Sequence, residues 1–528
     1  MTTARRLHYA WVVVGASALV LLAASGLRSV FGVFIKPMEA EFGWGRSALS
    51  TVAALSFVFN GLAGPFVGRL ADRWGPRGVL AGAGVLLGVG ALSAATIVSL
   101  WQLYLTVGVI VAVGAGGGRR SATPGGGHGR GELGRELMTE RADVVIVGGG
   151  VTGASIAYHL VHRGVRDVLL VEKKFIASGA TGRSSACVRQ HYSTPETCRM
   201  VLQSLRFLET FPERTGGRSA SFVRVGYLLG VDERLREAMA RAVALQQSIG
   251  IKSEVITPAE MREIEPRVRT DDFAAGCYEP EAGYADPAGT AQGLAGAARE
   301  GGARVLEDTE VLAIETAGGR VSGVRTSRGD IATPVVVNAA GIWGDRVGRM
   351  VGVDVPITVC RHKISFFSRP GEASAPHPLV YDFVQNIYTR PETGGLTLVG
   401  SLESELEDRA DPDRYNEGVT FQETADAMER AVHRFPVMEH GEVAKGWAGC
   451  FDVTPDWHPI LDATPVGGFY LAVGFSGNGF KLSPAVGDMM ARLVVEGKTA
   501  TDDVHAFRLS RFAEGKPIRG LYGDWLMC

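Results

Sequence analysis

The chain has 528 residues, 46% of them hydrophobic, with 70 glycines and a net charge of −2. That length accommodates several domains, and the near-neutral charge argues against nucleic acid or an acidic membrane surface as a general partner. Six cysteines (Cys187, Cys198, Cys277, Cys360, Cys450 and Cys528) are scattered with no C-x-x-C pair, which suits a reducing cytoplasm and leaves no readable metal site.

Residues 1–115 read as membrane-spanning. Ala10–Leu27 and Ser47–Gly68 carry no charge, and Gly78–Gly118 is uncharged and long enough for two helices of about 20 residues. The expectation is four spans, with Ser99-Leu-Trp101 as the turn between the last two. Arg5 and Arg6, then Arg69, Arg73 and Arg77, then Arg119 and Arg120 mark one side, which the positive-inside rule places in the cytoplasm. The stretch Gly68-Arg-Leu-Ala-Asp72-Arg73-Trp-Gly75-Pro-Arg77 resembles a loop of the major facilitator superfamily. That family's carriers use about a dozen helices around a midplane site, so a fragment of this length is expected to anchor rather than to transport.

Residues 116–140 begin Gly-Gly-Gly-Arg-Arg and lack hydrophobic period, as a flexible basic linker would. Met138-Thr-Glu-Arg then leads straight into the next strand, as a natural start would. Residues 138–528 are therefore expected to form a complete enzyme joined to a carrier fragment by fusion, deletion or a displaced gene boundary.

The apolar run Asp143-Val-Val-Ile-Val147 precedes Gly148-x-Gly150-x-x-Gly153, a helical pattern follows over Thr152–Arg163, and Glu172 closes the next apolar run. Strand, glycine turn, helix and a carboxylate about 20 residues on make up a dinucleotide-binding unit: the glycines allow a tight turn, close approach to a pyrophosphate, and helix–strand packing. Glu172 suits two ribose hydroxyls and repels a 2′-phosphate, leaving FAD or NAD. The polar loop Ala177–Ser185 offers Arg183, Ser184 and Ser185 to phosphates. Far downstream, Gly468–Val473 reads as a strand, Gly474-Phe-Ser-Gly477-Asn-Gly479-Phe480-Lys481 as a second glycine turn, and Ser483–Val494 as a helix. Two such sites at opposite ends of the sequence fit a long cofactor touched twice, which favours FAD. A NAD-dependent dehydrogenase, or a membrane transport or anchoring protein with a nucleotide-sensing domain, are the alternatives.

Taken with Gly182-Arg-Ser-Ser185, Val336-Val-Asn-Ala-Ala-Gly341-x-Trp343 and Thr454-Pro-Asp456, these motifs resemble the D-amino acid oxidase and sarcosine oxidase superfamily across residues 141–500. The resemblance implies an α/β FAD-binding Rossmann-like domain built from discontinuous segments. An α+β substrate domain would be inserted around 220–290 and 360–440, with the transmembrane helices preceding both. It further implies oxidation of the C–N bond of a small amino acid or N-methyl amino acid by hydride transfer to flavin, followed by imine hydrolysis. Arg189 would bind the substrate carboxylate, Lys481 either that carboxylate or flavin oxygens, and Tyr388 would wall the pocket or pack within a strand. A guanidinium offers a two-point grip and an ammonium a point charge.

Cys450 lies one residue closer to Thr454 than in relatives with covalent flavin, and His191 reads as a hydrogen-bonded loop histidine, so noncovalent FAD is expected. Relatives that activate oxygen with a lysine have it where this chain reads Gly395-Leu-Thr397-Leu. The acceptor is accordingly O2 or an electron carrier such as a quinone. The expected location is the inner or plasma membrane, held by lipid contact of the N-terminal segment with the flavoprotein domain cytoplasmic, or the cytoplasm if synthesis starts at Met138.

Overall fold

The computed structural model describes residues 140–371, 375–403, 406–497 and 502–522, with isolated positions between 42 and 106. The chain divides into two compact units, Met1–Arg135 and Glu136–Cys528. Apart from those isolated positions, the four expected spans fall outside the described residues, as does the linker up to residue 139. Among the described residues no helix is long and apolar enough to cross a membrane. Ser99, expected in a turn, leads into a short helix, Leu100–Leu103. Glu140, assigned above to the linker, instead forms a strand with Arg141, paired in parallel with Ile331–Ala332.

In the second unit, Val144–Val147 is a strand buried on both faces, as a run of β-branched residues inside a parallel sheet should be. The six-stranded sheet runs Arg304–Leu306, Val168–Val171, Val144–Val147, Val336–Asn338, Phe469–Val473, Ile460–Ala463. Every pair is parallel except the last. Alternation of the side chains splits the core into two layers. Val144 and Ile146 face the helices Val151–His162, Pro287–Glu300 and Gly479–Glu496. Val145 and Val147 face Val311, Ile314, Val321, Val324 and Ile331 from a four-stranded sheet.

The helix expected from Ser483 begins earlier, at Gly479. Pro484 marks a helix start when read from sequence, yet here it lies inside the helix. Pro484 has no N–H for the Phe480 carbonyl, and Ser483 Oγ donates to that oxygen at 2.9 Å instead. The first turn therefore includes Lys481.

Cys187–Val188, Gly283–Tyr284 and Val223–Arg224 make a small three-stranded sheet, and the largest sheet has eight strands. Its order is Val443–Val453, Thr358–Ser368, Leu396–Ser401, Ile387–Glu392, Leu379–Asp382, Tyr227–Val231, Ala275–Glu279, Glu254–Ile256, with only Leu379–Asp382 and Tyr227–Val231 parallel. The sheet extends past the expected boundary near 440. Val443–Val453 pairs along nearly the whole of Thr358–Ser368 and carries Gly449–Asp452 to the wall of the cleft below.

Candidate active site

One long cleft is lined by the first glycine turn, the loop 179–185, Gly341–Trp343, residues 449–452 and the turn 477–481. At its first end Gly148 has φ +110°, and a Cβ there would meet the Ala339 carbonyl oxygen at 2.5 Å. Only glycine suits that conformation and that space. A Cβ on Gly153 would lie 1.9 Å from the Gly148 oxygen. Gly153 therefore closes the helix against the turn, while Gly148 and Gly150 line the cleft.

Glu172 Oε2 accepts the Gly149 N–H at 2.7 Å, and Oε1 accepts the Lys174 N–H at 2.9 Å and the Ser178 hydroxyl at 3.1 Å. The glycine cradle, with a carboxylate fixed beside it, fits the ribose and pyrophosphate of a dinucleotide.

Ser184, Ser185 and Gly341 line the cleft too. Ser184 Oγ accepts the Ala186 N–H at 3.0 Å, and Gly341 has φ +51°. Arg183 lines the cleft, with its guanidinium also held by the protein. Its guanidinium donates to the Ser178 carbonyl at 2.9 Å and to Glu417 at 2.7 Å. The basic groups at this rim that sequence reasoning missed are Lys173 and Arg346, both bonded to Asp413. Asp413 also accepts the Trp343 indole N–H at 2.9 Å. Hydrogen bonding, led by Lys173, holds its carboxyl down at about 2.

At the other end, Gly477, Gly479, Phe480 and Lys481 line the cleft, whereas Gly474 does not. Gly474 shapes the turn from behind: its φ is +74°, a Cβ would meet Thr454 Cγ2 at 2.4 Å, and its N–H donates to Asp452 Oδ2 at 2.7 Å. Burial pushes the Asp452 carboxyl up to about 6 against the backbone donors of the same turn. Lys481 is buried, its Nζ donating to Asn478 Oδ1 at 3.1 Å, and the same oxygen accepts the Tyr192 hydroxyl at 2.8 Å.

Arg189 is 1% exposed and shares the cleft with Lys481, Tyr381, Tyr388 and His362. Its guanidinium carbon stands 4.4 Å from the Tyr192 ring centre and 5.2 Å from that of Tyr381, a stacking that orients a planar cation. His362 was not singled out from the sequence. Its Nε2 lies 3.0 Å from the Tyr388 hydroxyl, and its ring stacks on Phe451 at 4.3 Å. Tyr388 lines the cleft and belongs to the strand Ile387–Glu392.

Of the two conceivable flavin attachment points, His191 is fully buried outside the lining of the cleft. Cys450 lines it, with burial raising its thiol to about 12, which keeps the sulfur in its weakly nucleophilic protonated form.

The family model described as FAD dependent oxidoreductase matches residues 143–493, and a Major Facilitator Superfamily model matches residues 17–123. Sarcosine dehydrogenase, mitochondrial, from Homo sapiens is 30% identical over 385 residues, 71% of this chain. The chain spans only 42% of that relative's length. Sarcosine oxidase subunit beta from Rhizobium meliloti (strain 1021) is also 30% identical, with 71% of this chain and 89% of the relative covered. Among solved structures, L-proline dehydrogenase from P. horikoshii superimposes with a TM-score of 0.67 at 29% identity, covering 72% of this chain and 100% of that one. The dinucleotide of this cleft is accordingly FAD rather than NAD, and the chain belongs to the FAD-dependent oxidoreductase family.

Proposed function

We propose that the enzyme oxidises the C–N bond of a small amino acid or N-methyl amino acid of the sarcosine type. The observation that carries this reading is the presence of two buried cations, Arg189 and Lys481, in one cleft with the His362–Tyr388 pair. Bound FAD supplies the acceptor for a hydride from the carbon beside the amine. The Gly148 and Gly477 turns, with Glu172, hold it.

Arg189 grips the substrate carboxylate through charge-assisted hydrogen bonds, and Lys481 adds a second positive charge from the helix start. Fixing the carboxylate fixes the neighbouring carbon, and such orientation accounts for a large part of a rate enhancement. The amine enters protonated, and the His362–Tyr388 pair takes that proton so that the nitrogen lone pair is free. Tyr381 and Tyr388 wall the cleft and limit water beside the reacting carbon. The substrate leaves as an imine, which water hydrolyses to an amine and a carbonyl compound.

The electron acceptor is O2 or a carrier such as a quinone. Of the stretch Gly395-Leu-Thr397-Leu, no residue lines the cleft; Thr397 Oγ1 instead lies 3.0 Å from His377 Nε2. Stopped-flow reoxidation of the reduced enzyme in air against a quinone separates the two. For residues 1–115 we propose a membrane anchor that keeps the flavoprotein unit on the cytoplasmic side, a reading supported by the uncharged stretches and their flanking arginines. Alkaline washing of isolated membranes tests it: release of the flavoprotein at full length contradicts anchoring.

The substrate reading is tested by anaerobic reduction with sarcosine, N-methyl amino acids, proline and D-amino acids. Simple amines that carry no carboxylate complete the panel, and a flavin reduced only by these contradicts it.

A further inference from the structure

The groups that hold Arg189 from behind lie outside the cleft, and one of them comes from the far end of the chain. Arg189 Nη1 donates to the His191 carbonyl, so the position of residue 191 sets where the guanidinium sits. His191 is fully buried and engaged at both ring nitrogens. Its Nδ1 faces the Gln246 amide at 3.2 Å, and its Nε2 lies 2.6 Å from the Tyr522 hydroxyl. An amide donor at Nδ1 leaves the ring proton on Nε2, which then donates to Tyr522.

Next to this contact, the Leu521 N–H donates to Ser193 Oγ at 3.1 Å. The tail is itself fixed upstream, where the Ile518 N–H donates to Asp456 at 2.9 Å and Asp456 is paired with the buried Arg511 at 2.8 Å. Tyr522 is 5% exposed and packs edge-on against Phe383 at 5.9 Å. Residues 191–193 are thereby clamped between Gln246 and a tail more than 300 residues away in sequence.

We propose that Tyr522 is a positioning residue for the substrate carboxylate: through His191 it fixes the carbonyl that orients Arg189. The proposal rests on the reading that Arg189 binds that carboxylate. A guanidinium free to rotate loses its two-point geometry before it loses its charge. The tail contact therefore acts on affinity for carboxylates rather than on hydride transfer.

The test uses the full-length, FAD-loaded protein and acetate as the probe, with binding read from the change in flavin absorbance. Tyr522→Phe keeps the ring and removes only the hydroxyl. Loosening the guanidinium's two-point geometry is expected to weaken carboxylate binding about tenfold, or about 1.4 kcal/mol. The expected result is acetate bound about tenfold more weakly, KM for a carboxylate-bearing substrate raised by a similar factor, and kcat within about twofold of the parent. A role confined to stability would lower the melting temperature without that split between KM and kcat. Arg189→Met is the control and abolishes acetate binding.

Unchanged acetate affinity in Tyr522→Phe, with binding lost in Arg189→Met, overturns the proposal and leaves the carboxylate reading intact. Full acetate affinity in Arg189→Met overturns the carboxylate reading and the proposal with it. If Tyr522→Phe yields no folded holoenzyme, Ser193→Ala, which cuts the adjoining tie to Leu521, carries the same expectation and the same contradiction.

Discussion

Glu172 accepts the Gly149 N–H at 2.7 Å, joining the end of one strand to the glycine turn that follows its neighbour. Its carboxylate serves three protein donors in all, and an amide offers one acceptor oxygen where the carboxylate offers two. Glu172→Gln is expected to weaken FAD by at least tenfold, about 1.4 kcal/mol, without unfolding the chain. Fluorescence titration of the apoprotein with FAD checks this, and an unchanged dissociation constant counts against the assigned ribose end.

Gly153→Ala should be more severe. The added methyl would lie 1.9 Å from the Gly148 oxygen, so the helix Val151–His162 must move off the turn or the turn must open. Overpacking of this kind costs roughly 1–3 kcal/mol or more. The expected product is flavin-poor, with a lowered melting temperature that added FAD does not fully restore. A melting curve with and without FAD gives the answer.

These two positions show what part of the site a sequence displays. Gly148, Gly150, Gly153 and Glu172 are forced by backbone geometry close in sequence, so spacing reveals them. His362 and Tyr388 form their pair across three neighbouring strands, 26 residues apart. No local pattern announces a non-local contact, and a single histidine inside a strand reads as core. Lys481 is legible as a residue, but the helix that carries it starts at Gly479, ahead of the expected Ser483, with Pro484 inside it. Arg183 sits on the expected loop and lines the cleft, but its bond to Glu417, more than 200 residues away, is one no local pattern shows. The strand Val443–Val453 extends the eight-stranded sheet past the expected boundary because its register with Thr358–Ser368 is set by long-range pairing.

His362→Gln removes the nitrogen that can take the substrate's ammonium proton while keeping a polar side chain beside Tyr388. General-base contributions are typically a hundredfold or more. The rate of anaerobic flavin reduction at neutral pH should fall about a hundredfold and recover as the pH approaches that at which the free amine deprotonates. An unaltered rate and pH profile would remove the pair from the mechanism.

The helix Phe421–Arg434 is tied to the strand Thr358–Ser368 by Arg361, whose Nη1 donates to Glu423 Oε1 at 2.7 Å. That bond, with the Thr420 cap, holds the Glu423 carboxyl down at about 2 from its ordinary 4.5. A lowered carboxyl contributes stability that is complete above about 4.5 and is lost as the pH falls toward 2. Arg361→Gln should flatten the pH dependence of stability in that window and lower stability at neutral pH. Denaturant melts at pH 7 and pH 3 test the sign, and an unchanged difference between the two would contradict it.

On the proposed function, FAD spans the cleft from Gly148 to Lys481 and is reduced by a carboxylate-bearing amine held by Arg189. Anaerobic mixing of the purified protein with N-methyl amino acids, followed by its visible spectrum, tests this most directly. The expected outcome is a yellow protein whose flavin band bleaches with at least one such substrate and fails to bleach in Arg189→Met at the same concentration. A folded, colourless preparation that ignores added FAD would contradict it, as would a bound flavin that stays oxidised across the whole panel.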